Sequence, residues 1–258
     1  MDERRGRRGG RWTAPAEVPG AVRAGLRDAV GLVLPVRCGG CAAPGAAWCP
    51  GCRRAAGVPL PGSGPVPGAD PQVWAATACA GPVRLAVTAH KDAGRADLRP
   101  ELAGLLATAM HRALVTDPGL RAARPDGTVL VVPVPTSRRA GRRRGEDAVA
   151  ALTATATRRL GDPSLTCRPV LRHTRPVADQ TALGRAARAA NLAGSMAVRA
   201  ADLRLLDHAV CLLVDDVVTT GATLAEAARA LQAAGAVHVV AAVVGATPPT
   251  TSRARVSA

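Results

Sequence analysis

Two adjacent carboxylates, Asp215 and Asp216, stand where a run of apolar residues gives way to a Thr/Gly turn in Val-Cys-Leu-Leu-Val-Asp-Asp-Val-Val-Thr-Thr-Gly-Ala-Thr, residues 210–223. Side by side, two carboxylates can accept hydrogen bonds from the two hydroxyls of a ribose. The turn that follows has the parts of a phosphate cradle. Gly221 lets the backbone come close, Thr219, Thr220 and Thr223 carry hydroxyl donors, and Ala222 opens a helical pattern. The first N–H groups of a helix, at the positive end of its dipole, suit an anion. A phosphate beside a vicinal diol describes a ribose 5-phosphate.

A second constellation lies far upstream. Cys38-Gly-Gly-Cys41 and Cys49-Pro-Gly-Cys52 are two C-x-x-C knuckles with a short spacer. That spacing suits tetrahedral zinc held by four thiolates, and a closed four-sulfur set leaves no open coordination position, so the expected role is structural. Cys79, Cys167 and Cys211 lie in apolar surroundings and are expected in the core. Seven cysteines, four of them in a metal pattern, point to a reducing cytoplasm rather than a disulfide framework.

Cations supply a third. Lys91 is the sole lysine in a chain that otherwise writes its long cations as Arg, which marks its compact ammonium as a candidate ligand for a pyrophosphate. Arg138, Arg139, Arg142, Arg143 and Arg144 crowd a loop before Gly145. A basic loop between a strand's carboxyl end and a helix N-terminus is a natural pyrophosphate site. Five scattered histidines show no metal-ligand spacing and are expected at surfaces or strand ends, and no Ser-His-Asp or Cys-His set can be assembled.

These groups need a scaffold, and the pattern supplies one. Residues 210–214 read as a buried parallel strand ended by the two Asp, followed by a helix from Ala222 that Gly235 closes and a last strand over 238–245. Residues 129–135 form another strand, followed by a helix over about 145–160. Short edge strands are expected within 72–89, a turn at 90–94, a helix over about 98–114 and a short strand over 168–173. Residues 174–191, polar and then helical, read as a flap that carries Gln180, Leu183, Arg188 and Asn191, the sole asparagine. The expected fold class is α/β, a mainly parallel sheet with flanking helices behind a small zinc module. By segment, 1–20 is a basic disordered tail, 21–57 the module with one short amphipathic helix over 21–34, 58–71 a Pro/Gly linker, 72–247 the main domain and 248–258 a frayed tail.

Composition limits the alternatives. Phe, Tyr and Ile are missing, so the core must be Val, Leu and Ala. Formal net charge is +15, but part of it sits in the tail and part reflects a bias of Arg over Lys that high-GC coding would produce. The longest apolar run, 239–246, is far too short to span a bilayer, and no secretory signal follows the Arg-rich start.

Taken in order, the four-cysteine knuckle, Lys91-x-x-Gly94, Val-Pro-Val-Pro at 132–135, Arg144-Gly145, the Gln180…Asn191 flap and Asp-Asp-Val-Val-Thr-Thr-Gly-Ala-Thr at 215–223 resemble the ComF competence family, also called the amidophosphoribosyltransferase-like or GntX group. The last motif resembles the signature loop of type I phosphoribosyltransferases, which binds phosphoribosyl pyrophosphate (PRPP). The resemblance runs over about 32–245 and implies a type I phosphoribosyltransferase fold, structural Zn, and Mg²⁺ bound with PRPP. It implies the 5-phosphate on Thr219–Thr223, ribose on Asp215 and Asp216, pyrophosphate near Lys91, Arg144 and Gly145, and a flap with Gln180, Arg188 and Asn191. Transfer of the phosphoribosyl group to an unnamed acceptor is the implied activity. The alternative is a PRPP or nucleotide sensor, or an accessory that meets single-stranded DNA or a DNA-processing protein, in keeping with the family's association with DNA uptake. Where the family reads Arg-Gly-Phe-Asn-Gln, this chain reads Arg-Gly-Glu-Asp-Ala at 144–148, which removes amide donors. Nucleobase transferases commonly stack the base on an aromatic, yet Trp12, Trp48 and Trp74 all precede the expected core.

Overall fold

The computed structural model describes residues 36–57, 65–66, 68–125, 127–136, 147–175 and 191–247. The expected helix over 21–34, most of the 58–71 linker, Arg138 to Gly145, and Gln180, Leu183 and Arg188 lie outside them. The elements, in chain order, are α1 (Pro50–Ala56), β1 (Val73–Ala78), α2 (Gly81–Asp92), a 3₁₀ turn (Ala96–Leu98), α3 (Arg99–Thr116), α4 (Pro118–Ala123), β2 (Val129–Pro133) and α5 (Ala148–Leu160). They continue with β3 (Leu165–Cys167), β4 (Leu171–His173), β5 (Met196–Val198), a 3₁₀ segment (Ala200–Leu206), β6 (Val210–Val218), α6 (Ala222–Gln232) and β7 (His238–Ala246).

Five strands form one parallel sheet in the order β1-β7-β6-β2-β3, and β4 and β5 pair antiparallel as a separate hairpin. Strand alternation sorts the apolar residues into two cores. Val129, Val131, Leu212, Val214, Val240 and Ala242 face one cluster with α3, α5 and α2, while Leu130, Cys211, Leu213, Val239 and Ala241 face another with α6 and the hairpin. Both faces of the sheet are therefore covered, as a parallel sheet requires.

Several expectations change. Residues 81–92 are a helix rather than edge strands, and His90-Lys91-Asp92 is its last turn rather than the opening of the next helix. Pro82 at the first turn presets helical φ, and the Val83, Ala86, Val87 and His90 stripe buries one face. β6 does not stop at the acidic pair but runs through it to Val218, because β7 continues to pair beyond Asp215. β3 was not anticipated, and the helix after the basic loop starts at Ala148 rather than 145. Trp74 sits on β1, 3% exposed in the main core, so it is no candidate for stacking on a base. His90 is buried, against the expected surface position. Cys79 and Cys211 are buried as expected, and Cys167 is half-buried. Among the described residues, no helix is long and apolar enough to cross a membrane.

Candidate functional site

A cleft of about 540 Å³ opens at the carboxyl ends of β1, β6 and β7. Cys79, Ala80 and Gly81 line it from the end of β1, Asp216, Val217 and Thr219 from β6, and Thr247 from just past β7. Helix α2 supplies Arg84, Thr88 and Lys91, spaced four and three residues apart and so on one helical face. Sequence reasoning missed Arg84 and Thr88. Their signal would have been that spacing, legible only once the segment is read as a helix.

Lys91 meets the acidic pair directly. Its Nζ lies 3.0 Å from Asp216 Oδ2 and donates to Oδ1 at 3.2 Å. Burial lowers the ammonium's pKa, but the charges of Asp216 and Asp215 outweigh it and the net direction is up, so Lys91 stays charged. Asp215 points to the other face of β6, and its Oδ1 accepts the Asp216 N–H at 2.8 Å. Burial, then the neighbouring Asp216 charge, push its carboxyl up to about 8. Burial opposes a second negative charge here, and Lys91 pairs with Asp216, so the cluster avoids an unpaired buried charge.

The turn after β6 has the expected form. Gly221 holds φ +80°, the left-handed region open to glycine, and is the N-cap of α6 with no side-chain cap. The Ala222 N–H reaches Thr220 Oγ1 only at a long 3.5 Å. A Cβ built on Gly221 would meet nothing within 4 Å, so the space in front of the helix is open. Thr219 is exposed, while Thr220, Ala222 and Thr223 are half-buried.

The second helix N-terminus reads differently. Asp147 caps α5, accepting from the Val149 and Ala150 N–H at 3.0 and 3.1 Å, and its other oxygen accepts the Thr136 N–H at 3.1 Å. The acid that departs from the family pattern thus satisfies this helix end itself, and repels a second anion there.

The hairpin β4–β5 brackets the expected flap. Thr174 donates its N–H to Ser195 O at 2.9 Å and its hydroxyl to Gly194 O at 2.8 Å, so the two roots of the 176–190 segment stand together. Asn191, half-buried, accepts at its carbonyl from Arg175 at 2.6 Å. Glu226 of α6, 5% exposed, accepts the Met196 N–H at 3.0 Å and pairs with Arg229 at 2.7 and 2.9 Å. Arg229 also donates to Met196 O at 3.2 Å. Buried Glu226 and exposed Arg229 thus rivet Met196, on the hairpin strand after the 176–190 segment, to the helix that begins at the Thr/Gly turn, and no sequence signal singled this pair out.

The four knuckle cysteines converge. Their Sγ atoms all lie within 4.8 Å of one another, and Cys41 and Cys49 Sγ are 3.6 Å apart. Tetrahedral zinc at about 2.3 Å from each sulfur needs sulfurs about 3.8 Å apart, so the set fits. Backbone N–H groups already point at the sulfurs: Gly40 and Cys49 to Cys38 Sγ at 3.4 and 3.3 Å, Cys52 to Cys49 Sγ at 3.4 Å. Burial raises the Cys38 thiol, yet the N–H donors outweigh it and hold it at about 6. Cys52 is pushed up by burial and by its sulfur neighbours, because crowded thiols cannot all ionise without a cation among them. These residues can hold zinc. Cys49→Ser is expected to lower bound zinc from about one per chain to well below it, read by metal analysis of the purified protein. Full occupancy without the four thiols would overturn this site.

With that geometry in view, the comparisons divide the chain. Residues 170–255 match the Phosphoribosyl transferase domain family model. The match covers the hairpin, β6, the Thr/Gly turn, α6 and β7, so this part is phosphoribosyltransferase-like. No curated protein matches. Among solved structures, a chain described as "structure of the allosteric regulatory enzyme of purine biosynthesis" is similar with 16% identity and a TM-score of 0.33, over 57% of this chain. The matched region spans 25% of that protein's length.

Proposed function

We propose that the chain is a ComF-type phosphoribosyltransferase that binds Mg²⁺-PRPP in the cleft and releases pyrophosphate as it passes the phosphoribosyl group to an acceptor. The observation that carries this reading is the open, glycine-capped N-terminus of α6, directly after the buried Asp215–Asp216 pair and inside the segment that matches the transferase domain. The 5-phosphate is assigned to Thr219, Thr220, Gly221, Ala222 and Thr223, where backbone N–H groups and hydroxyls converge. The ribose hydroxyls are assigned to Asp216 and Asp215. Asp216 already faces a cation, Lys91, and is the carboxylate suited to lie near a divalent ion. Asp215, whose carboxyl is pushed up by burial and by the neighbouring Asp216 charge, can donate as well as accept when protonated. Mg²⁺, when bound with PRPP, neutralises phosphate charge and steadies the leaving pyrophosphate.

Lys91 and Arg84 are assigned to the pyrophosphate, with Arg144 and Gly145 as further candidates from sequence. As pyrophosphate leaves, positive charge develops on the sugar, and the Asp216 carboxylate favours it electrostatically. The flap with Gln180, Arg188 and Asn191 is assigned to excluding water.

Isothermal titration of the full chain with PRPP and Mg²⁺ tests the reading, with Lys91→Arg and Lys91→Ala alongside. The planar guanidinium keeps the charge but not the reach of an ammonium that must serve both Asp216 and a departing anion. Lys91→Arg is therefore expected to weaken binding several-fold, and Lys91→Ala about tenfold or more, ~1.4 kcal/mol. No heat of binding from the parent would end the ligand assignment; equal affinities for all three would remove Lys91 from it.

A further inference from the structure

The cysteine knuckle and the cleft meet the same helix on adjoining faces. On one side of α2, Arg84, Thr88 and Lys91 line the cleft. On the adjoining face, Val83 and Ala86 share a buried cluster with Cys38, Trp48, Cys52 and Ala56, and Val87 belongs both to that cluster and to the cleft lining. The contact is tight at the helix's first turn and at the 3₁₀ turn that follows it. A Cβ on Gly40 would sit 2.8 Å from Pro82 Cβ and 2.7 Å from Cys52 Sγ, so the knuckle's backbone presses against the first turn of α2. A Cβ on Gly39 would fall 2.6 and 2.8 Å from the methyls of Leu98, the buried last residue of the 3₁₀ turn that leads into α3. Arg95, between them, donates to the Arg37 carbonyl at 2.8 Å while holding Asp97 at 2.8 and 2.7 Å. Arg53 of α1 pairs with Glu101 in the first turn of α3.

Beyond this contact, helix α2 is held by the main core and by the Lys91–Asp216 pair. It is 12 residues long and its N-cap, Ala80, has no side-chain hydrogen bond. A helix of that length owes its order to what covers its apolar face. Part of that cover is a segment whose own fold depends on holding four sulfurs together. Without a metal to hold the four sulfurs together, the turns that carry Gly39 and Gly40 lose a tie that fixes their geometry.

We propose that metal occupancy of Cys38, Cys41, Cys49 and Cys52 sets the ligand affinity of the cleft by fixing α2, and with it Lys91 and Arg84, against β6. For its ligand this rests on the PRPP reading; for the coupling it does not. Zinc and PRPP are then linked ligands: each raises the chain's affinity for the other by one factor.

The test compares the full chain loaded with zinc and the same chain stripped of zinc and returned to a Mg²⁺ buffer. Hydrogen exchange reports on residues 81–92 and, separately, on β6 and β7, and calorimetry reports Mg²⁺-PRPP affinity. Zinc removal is expected to speed exchange across α2 at least tenfold, leave β6 and β7 unchanged, and weaken PRPP binding at least fivefold. Gly39→Ala keeps all four thiols but presses a methyl onto Leu98; it is expected to retain about one zinc and speed α2 exchange in the same direction by a smaller factor. Unchanged α2 exchange in both samples overturns the proposal, and so does loss of protection in β6 and β7 equal to that in α2, which would make zinc a support of the whole fold. If the zinc-loaded parent binds no PRPP, the ligand reading fails, and the exchange of α2 still decides the coupling.

Discussion

Gly221→Val is expected to abolish measurable binding of Mg²⁺-PRPP while the sheet stays folded. Two separate physical effects act at this position. Gly221 sits at φ +80°, where a β-branched side chain is strained by about 1–3 kcal/mol. That strain falls on the turn, not on the two cores, because a Cβ here meets no protein atom within 4 Å. The same open space is the ground assigned to the phosphate, so the valine methyls fill what the ligand must occupy. Gly221→Asn separates the two effects. Asparagine tolerates the left-handed region, so its melting temperature should stay within a few degrees of the parent's. Its side chain nevertheless projects into the same space, and affinity should still fall at least tenfold, ~1.4 kcal/mol. Thermal melts and calorimetry on the parent and both variants check this. Parent-like PRPP affinity in Gly221→Asn would move the phosphate elsewhere.

Asp215→Asn is expected to make the protein more stable at pH 8 and to flatten its stability across the range below. The folded protein holds this carboxyl at about 8 against an ordinary 3.8, because ionising it means keeping a second negative charge beside Asp216 with little water. A raised folded-state pKa gives stability that is fully present below the unfolded value and is lost as pH rises toward 8. Between about pH 4 and 8 the folded chain binds a proton that the unfolded chain has released, so this group lowers stability as pH increases. Asparagine has the same shape and no charge, and its Oδ1 can still accept the Asp216 N–H. At pH 8 the difference should reach several kcal/mol, about 1.4 kcal/mol for each pH unit above about 4, or on the order of 10 °C in melting temperature. Only at about pH 4 and below, where the unfolded chain's carboxyl is protonated too, should the two proteins melt together. The difference between their curves isolates Asp215 from every other titrating group, and parallel curves across pH 5–8.5 would show that its carboxyl ionises freely.

The sequence by itself determined the parts whose physics is local. Strand-forming Val and Leu up to Val214, two acids, small turn residues and the Ala/Leu helix after Gly221 follow one another without interruption, so the β6–turn–α6 unit is legible from its own periodicity and from the one residue that accepts positive φ. The cysteine knuckles were legible for the same reason, since two short spacings bring four sulfurs within reach of one another, a set that could hold a metal. Lys91 stood out by composition alone, but its partner did not. It meets Asp216 across 125 positions only because the sheet order sets β1 beside β7 and β7 beside β6, which carries α2 over the end of β6. No local pattern encodes strand order. Helix α2 itself was hidden: its Thr, Val and Gly-Pro content reads as strand and turn, and its helical stripe becomes decisive only when the two cores claim it. Asp147 looked like a lost ligand donor and proved to be a helix cap, a role set by where α5 begins rather than by residue type. Glu226, Arg84 and the Gly40–Pro82 contact belong to the same class, each made by elements far apart in the chain that only the packed sheet brings within reach.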